Sequence, residues 1–167
     1  MKRILIFIIV LVPIFAFAKR PKNVRLVMTK PIYNEQCVYN DWGAVISFEW
    51  NDYKNYGVTV SIKNETDSRI YVEWGNARIE DETICFGNDN SFTYRDKKED
   101  EVIHAGSTCE RFIARQSEFE IDGREFFYMN MIKRYGDSGE RDIIIPIRFE
   151  DKTTDYRFSL KVIADTE

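Results

Sequence analysis

Hydrophobic and polar residues alternate in four stretches of the chain, and this period of two predicts β-strands. A strand that covers a core with one face has apolar side chains at every second position. Valine, isoleucine, threonine and the aromatic residues, which favour pleated sheet, are plentiful in these stretches. Their apolar positions are Ile46, Phe48 and Trp50; Val58, Val60 and Ile62; Ile70, Val72 and Trp74; and Tyr156, Phe158, Leu160 and Val162.

Turn-forming residues separate these stretches. The polar residues 64–68 predict a hairpin or a short crossover, and Asp122-Gly123 predicts a two-residue hairpin turn. Residues 152–155 are expected to join the last two strands. Together the patterns predict one all-β domain of about eight to ten short antiparallel strands, arranged as a sandwich or a barrel.

Two segments depart from the simple strand pattern. Pro146 lies inside the apolar run 143–149 and has no N–H to donate, which predicts an edge strand or a bulge. Residues 124–134 fit a strand loosely and a short helix equally well, and we favour the strand.

The N-terminal residues have the pattern of a secretory signal peptide. Lys2 and Arg3 precede the nearly continuous apolar run 4–15, and Ala-Phe-Ala at 16–18 forms a small-x-small cleavage site. The run is shorter than the roughly 20 residues that span a bilayer. We therefore expect cleavage after Ala18, with a signal peptide at 1–18 and a single domain at 19–167. An uncleaved N-terminal anchor is the alternative.

The cleavage site also bears on the final location. A lipoprotein needs cysteine directly after the site, and Lys19 stands there instead. No second apolar run approaches membrane length, so no membrane span is expected after cleavage. The isoleucine-rich leader points to a bacterial source. We expect an exported protein, periplasmic or secreted, that is not a lipoprotein.

Net charge argues against nucleic acid as a partner. The chain carries a net charge of -4, and loss of Lys2 and Arg3 with the leader changes this to -6. Nucleic-acid binding depends on clustered Lys and Arg that neutralise phosphates. The nearest basic cluster, Lys97-Lys98, is surrounded by acidic residues, which predicts a solvated loop.

Three cysteines enter an oxidising compartment if the leader directs export. The odd count permits one intrachain disulfide at most, and the sequence alone does not choose among the three pairings. We favour Cys85 with Cys109, which would close a loop of moderate length. Three buried free thiols are the alternative that stays open, with Cys37 then unpaired in either case.

No catalytic, cofactor or metal site is predicted. His104 is the only histidine, and a corner residue is the favoured interpretation over a general base. No His or Cys spacing fits zinc, and neither acidic stretch, 81–89 nor 96–101, has EF-hand spacing for calcium. The acid pairs, Glu80 with Glu82 and Asp151 with Asp155, are the kind that 28 acidic residues produce by chance.

Aromatic residues near the N-terminus form one candidate binding surface. An exposed platform of this kind would bind a sugar or a peptide, although such residues in small sandwiches more often lie in the core or at its rim. The candidates are Tyr33, Tyr39, Trp42, Tyr53 and Tyr56.

Three segments carry a resemblance to a known class of protein. Residues 61–74, with Asn-Glu-Thr-Asp before an aliphatic strand, residues 102–108 and the closing pair of strands at 143–162 resemble exported bacterial immunoglobulin-like β-sandwich proteins. The resemblance implies an immunoglobulin-like sandwich. Many such proteins have no assigned activity, and one set that resembles them acts as proteinase inhibitors.

We therefore expect a non-enzymatic exported domain that binds a protein or a glycan at the cell envelope. The first alternative is an inhibitor of an exported proteinase that acts through a rigid loop at 81–91. The second is a hydrolase built on carboxylates, which needs a concave pocket with two convergent acids. A structural subunit of an envelope assembly is a further alternative.

Overall fold

The computed structural model describes residues 24–50, 57–89, 93, 95–117 and 137–164. The described residues form an all-β fold, as predicted, with eleven antiparallel strands rather than eight to ten. A short 3₁₀ turn, Trp74–Asn76, interrupts them. The strands are β1 (Val24–Lys30), β2 (Val38–Asp41), β3 (Ala44–Glu49), β4 (Val58–Asn64), β5 (Ile70–Val72), β6 (Arg78–Ile79), β7 (Glu82–Phe86), β8 (Glu101–Ile103), β9 (Thr108–Arg115), β10 (Arg141–Phe149) and β11 (Lys152–Ala164).

The strands form two halves that face each other across one core. In the first half β1, β11 and β10 are neighbours, β5 and β6 share the other edge of β10, and β8 lies beside β5. The second half has the order β2-β3-β4-β9-β7, and the β6–β7 pairing joins the halves. Phe48 of β3 meets Phe158 of β11 with ring centroids 4.9 Å apart, so the inner faces are in contact.

The apolar positions of the predicted alternating stretches form the core of the structure. The apolar positions of β3, β4, β5 and β11 are buried with few exceptions, and the residues between them are more exposed. Trp74 is buried as expected, but it begins the 3₁₀ turn and does not continue β5. Trp50 and Tyr156 are only partly buried, at the margin of the core.

The prediction that Pro146 marks an edge strand or a bulge is wrong. β10 is an interior strand, because β11 pairs with one edge and β5 and β6 pair with the other. The carbonyl of Pro146 accepts the N–H of Glu73 at 2.9 Å, on the side of β5 and β6. The missing N–H of a strand residue lies on the same side as its carbonyl. It therefore faces the break between β5 and β6, where the ladder needs no donor.

The connection between the last two strands is shorter than predicted. Phe149 pairs directly with Lys152, so Glu150 and Asp151 form a two-residue turn, and residues 152–155 belong to β11. The predicted turn at Asp122-Gly123 and the segment 124–134 lie outside the described residues.

Residues 64–68 form the crossover between the two halves, in agreement with one of the two alternatives. Asn64, at the end of β4, is fully buried and uses all four hydrogen-bonding positions of its amide. Its Nδ2 donates to the carbonyls of Ser68 at 2.7 Å and Ile103 at 2.9 Å. Its Oδ1 accepts from Thr66, from the backbone N at 3.0 Å and from Oγ1 at 2.7 Å.

Backbone hydrogen bonds extend this junction to two further connections. Asn64 N donates to the carbonyl of Ser107, and Gly106 N donates to the carbonyl of Asn64, which holds the β8–β9 turn. Glu65 N donates to the carbonyl of Gly43 in the β2–β3 turn at 2.6 Å. One buried amide therefore lies where three connections meet.

We expect Asn64→Ala to lower the free energy of unfolding by about 2–4 kcal/mol, because the carbonyls of Ser68 and Ile103 lose their buried donor. Urea denaturation of the purified protein measures this. Asn40→Ala, at an exposed position of β2, is the matched control and should change stability by less than about 0.5 kcal/mol. Equal effects of the two substitutions would contradict the role given to Asn64.

Candidate binding site

A cleft of about 350 Å³ opens between the two halves, where the β2–β3 turn, the crossover and the β10–β11 turn meet. Its floor is the end of the core itself. Ala44, Ile70 and Ile147 are at most 5% exposed, and the partly buried Phe149 and Tyr156 complete the floor. The floor is therefore almost entirely hydrocarbon and aromatic ring.

Trp42 stands at the mouth of this cleft in a backbone conformation that tryptophan rarely adopts. It is 68% exposed, and its φ is +53°. Trp42 and Gly43 (φ +80°) are the two central residues of the turn between Asp41 and Ala44, a pattern that belongs to type I′. Such turns favour Asn, Asp or Gly, and another residue with left-handed φ is strained by roughly 1–2 kcal/mol.

The neighbours of Trp42 fix the turn. A Cβ on Gly43 would lie 2.9 Å from Cγ2 of Thr66, so only glycine allows the crossover to pack against the turn. The ammonium of Lys152 lies 5.0 Å from the centroid of the Trp42 ring, a cation–π contact. The indole is thus held at the mouth and remains open to solvent.

A second residue with left-handed φ lies on the same rim. Glu150, the first residue of the β10–β11 turn, has φ +53°. Glu150 and Asp151 are exposed, and neither carboxylate makes a hydrogen bond or an ion pair with any residue in the described ranges. Strained residues of this kind cluster at functional sites.

Tyr156 forms one wall of the cleft. Burial, assisted by the charge of Asp41 and a hydrogen bond to it, raises the pKa of the Tyr156 hydroxyl to about 12. The phenol therefore stays neutral at any physiological pH and donates to Asp41. The ring of Tyr39 meets Tyr156 edge to face with centroids 6.2 Å apart, which supports the wall from the core side.

The structure divides the predicted aromatic platform. Tyr39 packs against Tyr156 and Phe158 and belongs to the margin of the core. Tyr33 is 56% exposed, and its neighbour Asn34 pairs with Met28, which in turn lies opposite Leu160 of β11. Trp42 lies beside Lys152 of β11. Leu160 and Lys152 are eight residues apart along this strand, or roughly 26 Å, so Tyr33 and Trp42 lie at different ends of it. Tyr53 and Tyr56 lie outside the described residues, so Trp42 is the platform residue at the cleft.

His104 lies at an exposed turn before β9, where its carbonyl accepts the N–H of Ser107. The acid pair of Glu80 and Glu82 lies near Arg115, at the other end of β9 from His104, and both carboxylates have other partners. Glu80 binds Arg115 and Arg141, each at 2.6 Å, and Glu82 accepts hydrogen bonds from Ser117. The favoured interpretation of His104 as a corner residue agrees with its position.

Among the described residues, three carboxyl groups have shifted pKa values, and all three are lowered. A hydrogen bond from Arg25 lowers the pKa of Glu35, and the backbone N–H of Gly139 lowers that of Asp137. Burial opposes ionisation of Glu73, but hydrogen bonds from Asn76, Thr153 and Arg148 outweigh it, so its pKa is lowered as well. A general acid needs the opposite shift.

The described part of the segment 81–91, residues 81–89, is not simply an exposed loop. Residues 82–86 are strand β7, which lies between β6 and β9, and Ile84 and Cys85 are fully buried. Asp89 then binds the Lys98 ammonium at 2.6 Å. Lys98 is only 9% exposed, so the prediction of a solvated loop at Lys97-Lys98 is wrong for Lys98.

Across the described part of the chain, no group of three potential metal-ligating residues occurs.

The favoured disulfide between Cys85 and Cys109 requires correction. All three cysteines are buried free thiols. Cys85 lies opposite Ala114, which is five residues along β9 from Cys109. Five strand residues span roughly 16 Å, whereas a disulfide requires Cα atoms within about 7 Å. The alternative of free thiols is the one that the structure has.

Comparison with models of known protein families, with curated proteins and with solved structures yields no match to this chain. In the described residues, no helix has the length and apolar character needed to cross a membrane.

The thiols should be almost unreactive in the folded protein. Burial raises the pKa of Cys37 from 9.0 to about 11, and burial together with Glu101 raises that of Cys109 to about 12. At pH 8 the thiolate fraction of Cys37 is then roughly a hundredfold below that of an ordinary cysteine. We expect three titratable thiols in urea and negligible alkylation without it. Rapid modification of the folded protein, or a mass lower by two hydrogens, would contradict this.

The strain at Trp42 should appear as a difference between two substitutions that both remove the indole. Asparagine tolerates left-handed φ better than alanine does. Trp42→Asn should therefore be about 0.5–1 kcal/mol more stable than Trp42→Ala in urea denaturation. The reverse order would show that the turn lacks the left-handed conformation.

Proposed function

We propose that this protein is an exported, non-enzymatic domain with an immunoglobulin-like sandwich fold that binds a protein or a glycan of the cell envelope. The partner enters the cleft at Trp42. The observation that carries the proposal is Trp42 itself: a large aromatic side chain, 68% exposed, that is held in a strained turn above an apolar cleft.

The chemistry of the cleft favours binding over stabilisation of the fold. Trp42 is 68% exposed, and the ring's contact with a charged group is the ammonium of an exposed lysine, worth roughly 0.5–1 kcal/mol. The strain at its φ is of similar or larger size. The exposed indole therefore adds little to folding stability, whereas exposed aromatic residues beside a pocket are typical anchors for partners.

Export is supported by the leader at 1–18, which has the basic, apolar and small-residue parts of a signal peptide. With Lys19 at the start of the mature chain, the proposed domain is released into the periplasm or the medium. The immunoglobulin-like assignment is supported by the two antiparallel halves that pack face to face and by the β4–β5 crossover between them.

The alternatives draw less support from the described residues. An inhibitory loop at 81–91 would need exposed backbone, and much of this segment is the interior strand β7. A carboxylate hydrolase would need an acid with a raised pKa, and the shifted carboxyl groups Glu35, Glu73 and Asp137 are all lowered.

Binding to arrays of peptides and envelope glycans tests the proposal. The wild-type protein should retain at least one ligand, and Trp42→Asn should weaken that binding by about tenfold or more, because a central aromatic anchor contributes more than about 1.4 kcal/mol. Ile32→Asn is the matched control, since Ile32 is also 68% exposed. Equal binding by all three proteins, or no ligand at all, would overturn the proposal.

A further inference from the structure

We propose that the cleft takes an apolar side chain of a protein partner, and that a lysine or arginine next to that side chain pairs with the carboxylates of Glu150 and Asp151. This inference rests on the proposed function and names the class of ligand for the same site.

The floor of the cleft selects the buried part of the ligand. Ala44, Ile70 and Ile147 present only hydrocarbon, and Phe149 adds an aromatic ring. Thr66, Thr154 and Tyr156 add hydroxyl groups to the lining, but those of Thr66 and Tyr156 already form hydrogen bonds within the protein. A sugar that entered would therefore bury several hydroxyl groups against hydrocarbon, which is unfavourable. An aromatic or branched aliphatic side chain meets no such penalty, and about 350 Å³ is ample for one.

The rim selects the charge of the ligand. The residues that line the cleft carry two carboxylates, Glu150 and Asp151, and one ammonium, Lys152, which lies over the Trp42 ring. Behind them Asp41 interacts with Tyr156 and adds a further negative charge. The mouth is therefore negative overall and complements a cation.

Nearby arginines leave this balance in place. Arg148 is paired with Glu73 at 3.1 Å and with Asp100 at 3.2 Å. Arg69 lies 5.5 Å from the centroid of the Tyr71 ring, in a neighbouring groove on the other side of the β10–β11 turn. Glu150 and Asp151 line this groove as well, together with Arg69 and Arg148. Neither guanidinium lines the cleft or forms an ion pair with the two carboxylates, so these stay available to a partner.

The positions of the apolar floor and of the two carboxylates define where the apolar side chain and the cation lie in the ligand. The apolar floor lies inside the cleft, and the β10–β11 turn carries the two carboxylates at its mouth. A peptide can therefore insert one apolar side chain while the ammonium or guanidinium of an adjacent residue remains in solvent beside Glu150 and Asp151. Because these carboxylates are exposed, the charge contact adds preference and the apolar side chain supplies most of the affinity.

Capped heptapeptides with a central Phe-Lys, Phe-Gln, Phe-Glu or Ser-Lys pair test the inference by calorimetric titration of the full purified protein. We expect Phe-Lys to bind best, Phe-Glu to bind worst of the three Phe peptides, and Ser-Lys to lose at least about thirtyfold in affinity. The double substitution Glu150→Gln and Asp151→Asn should weaken Phe-Lys binding about three- to tenfold, as should a rise in salt concentration.

A charge-matched control uses carboxylates that do not line the cleft. The double substitution Glu140→Gln and Asp155→Asn changes the net charge equally, and these residues face Lys30 and Arg157. This control should bind Phe-Lys as the wild-type protein does. Folding of each variant is checked by its urea midpoint.

The outcomes separate this inference from the proposed function. If Phe peptides bind in a Trp42-dependent way but without preference for lysine, the charge part is overturned and the binding cleft stands. If only glycans bind, again through Trp42, the peptide ligand is overturned. If no ligand depends on Trp42, both proposals fail.

Discussion

The buried amide of Asn64 is the interaction on which the arrangement of the cleft depends. It fixes Thr66 through two hydrogen bonds and ties the crossover to β8 through the carbonyl of Ile103. The next residue, Glu65, donates to the carbonyl of Gly43, against which Thr66 packs. The position of Trp42 therefore follows from a hydrogen-bonding requirement at a fully buried side chain.

Much of the fold follows from local pattern. The alternation at Val58, Val60 and Ile62 predicts both the strand and its buried face, because all the apolar side chains of such a strand lie on the same face of the sheet. The place of β10 in the sheet was beyond such reasoning. Pro146 excludes a donor at one position, but whether that position needs a donor depends on β5 and β6, which lie some 70 residues earlier in sequence.

The site was predictable only in part. Trp42 was a candidate as an aromatic residue, and its place before Gly43, between strand-forming residues, was a signal for a turn that would expose it. The cleft was not predictable, since Ala44, Ile70 and Ile147 meet only through long-range pairing. For the same reason, the distance between Cys85 and Cys109 could not be judged from their spacing in the sequence.

The central claim is that ligands enter between the two halves of the sheet at Trp42. The most direct measurement is an NMR titration of the isotopically labelled protein with the Phe-Lys heptapeptide. The account predicts that shift changes concentrate at the Trp42 indole and at Ala44, Ile70 and Ile147, with little change along β6 and β7. Shift changes concentrated on another face, with the Trp42 indole unmoved at saturation, would contradict it.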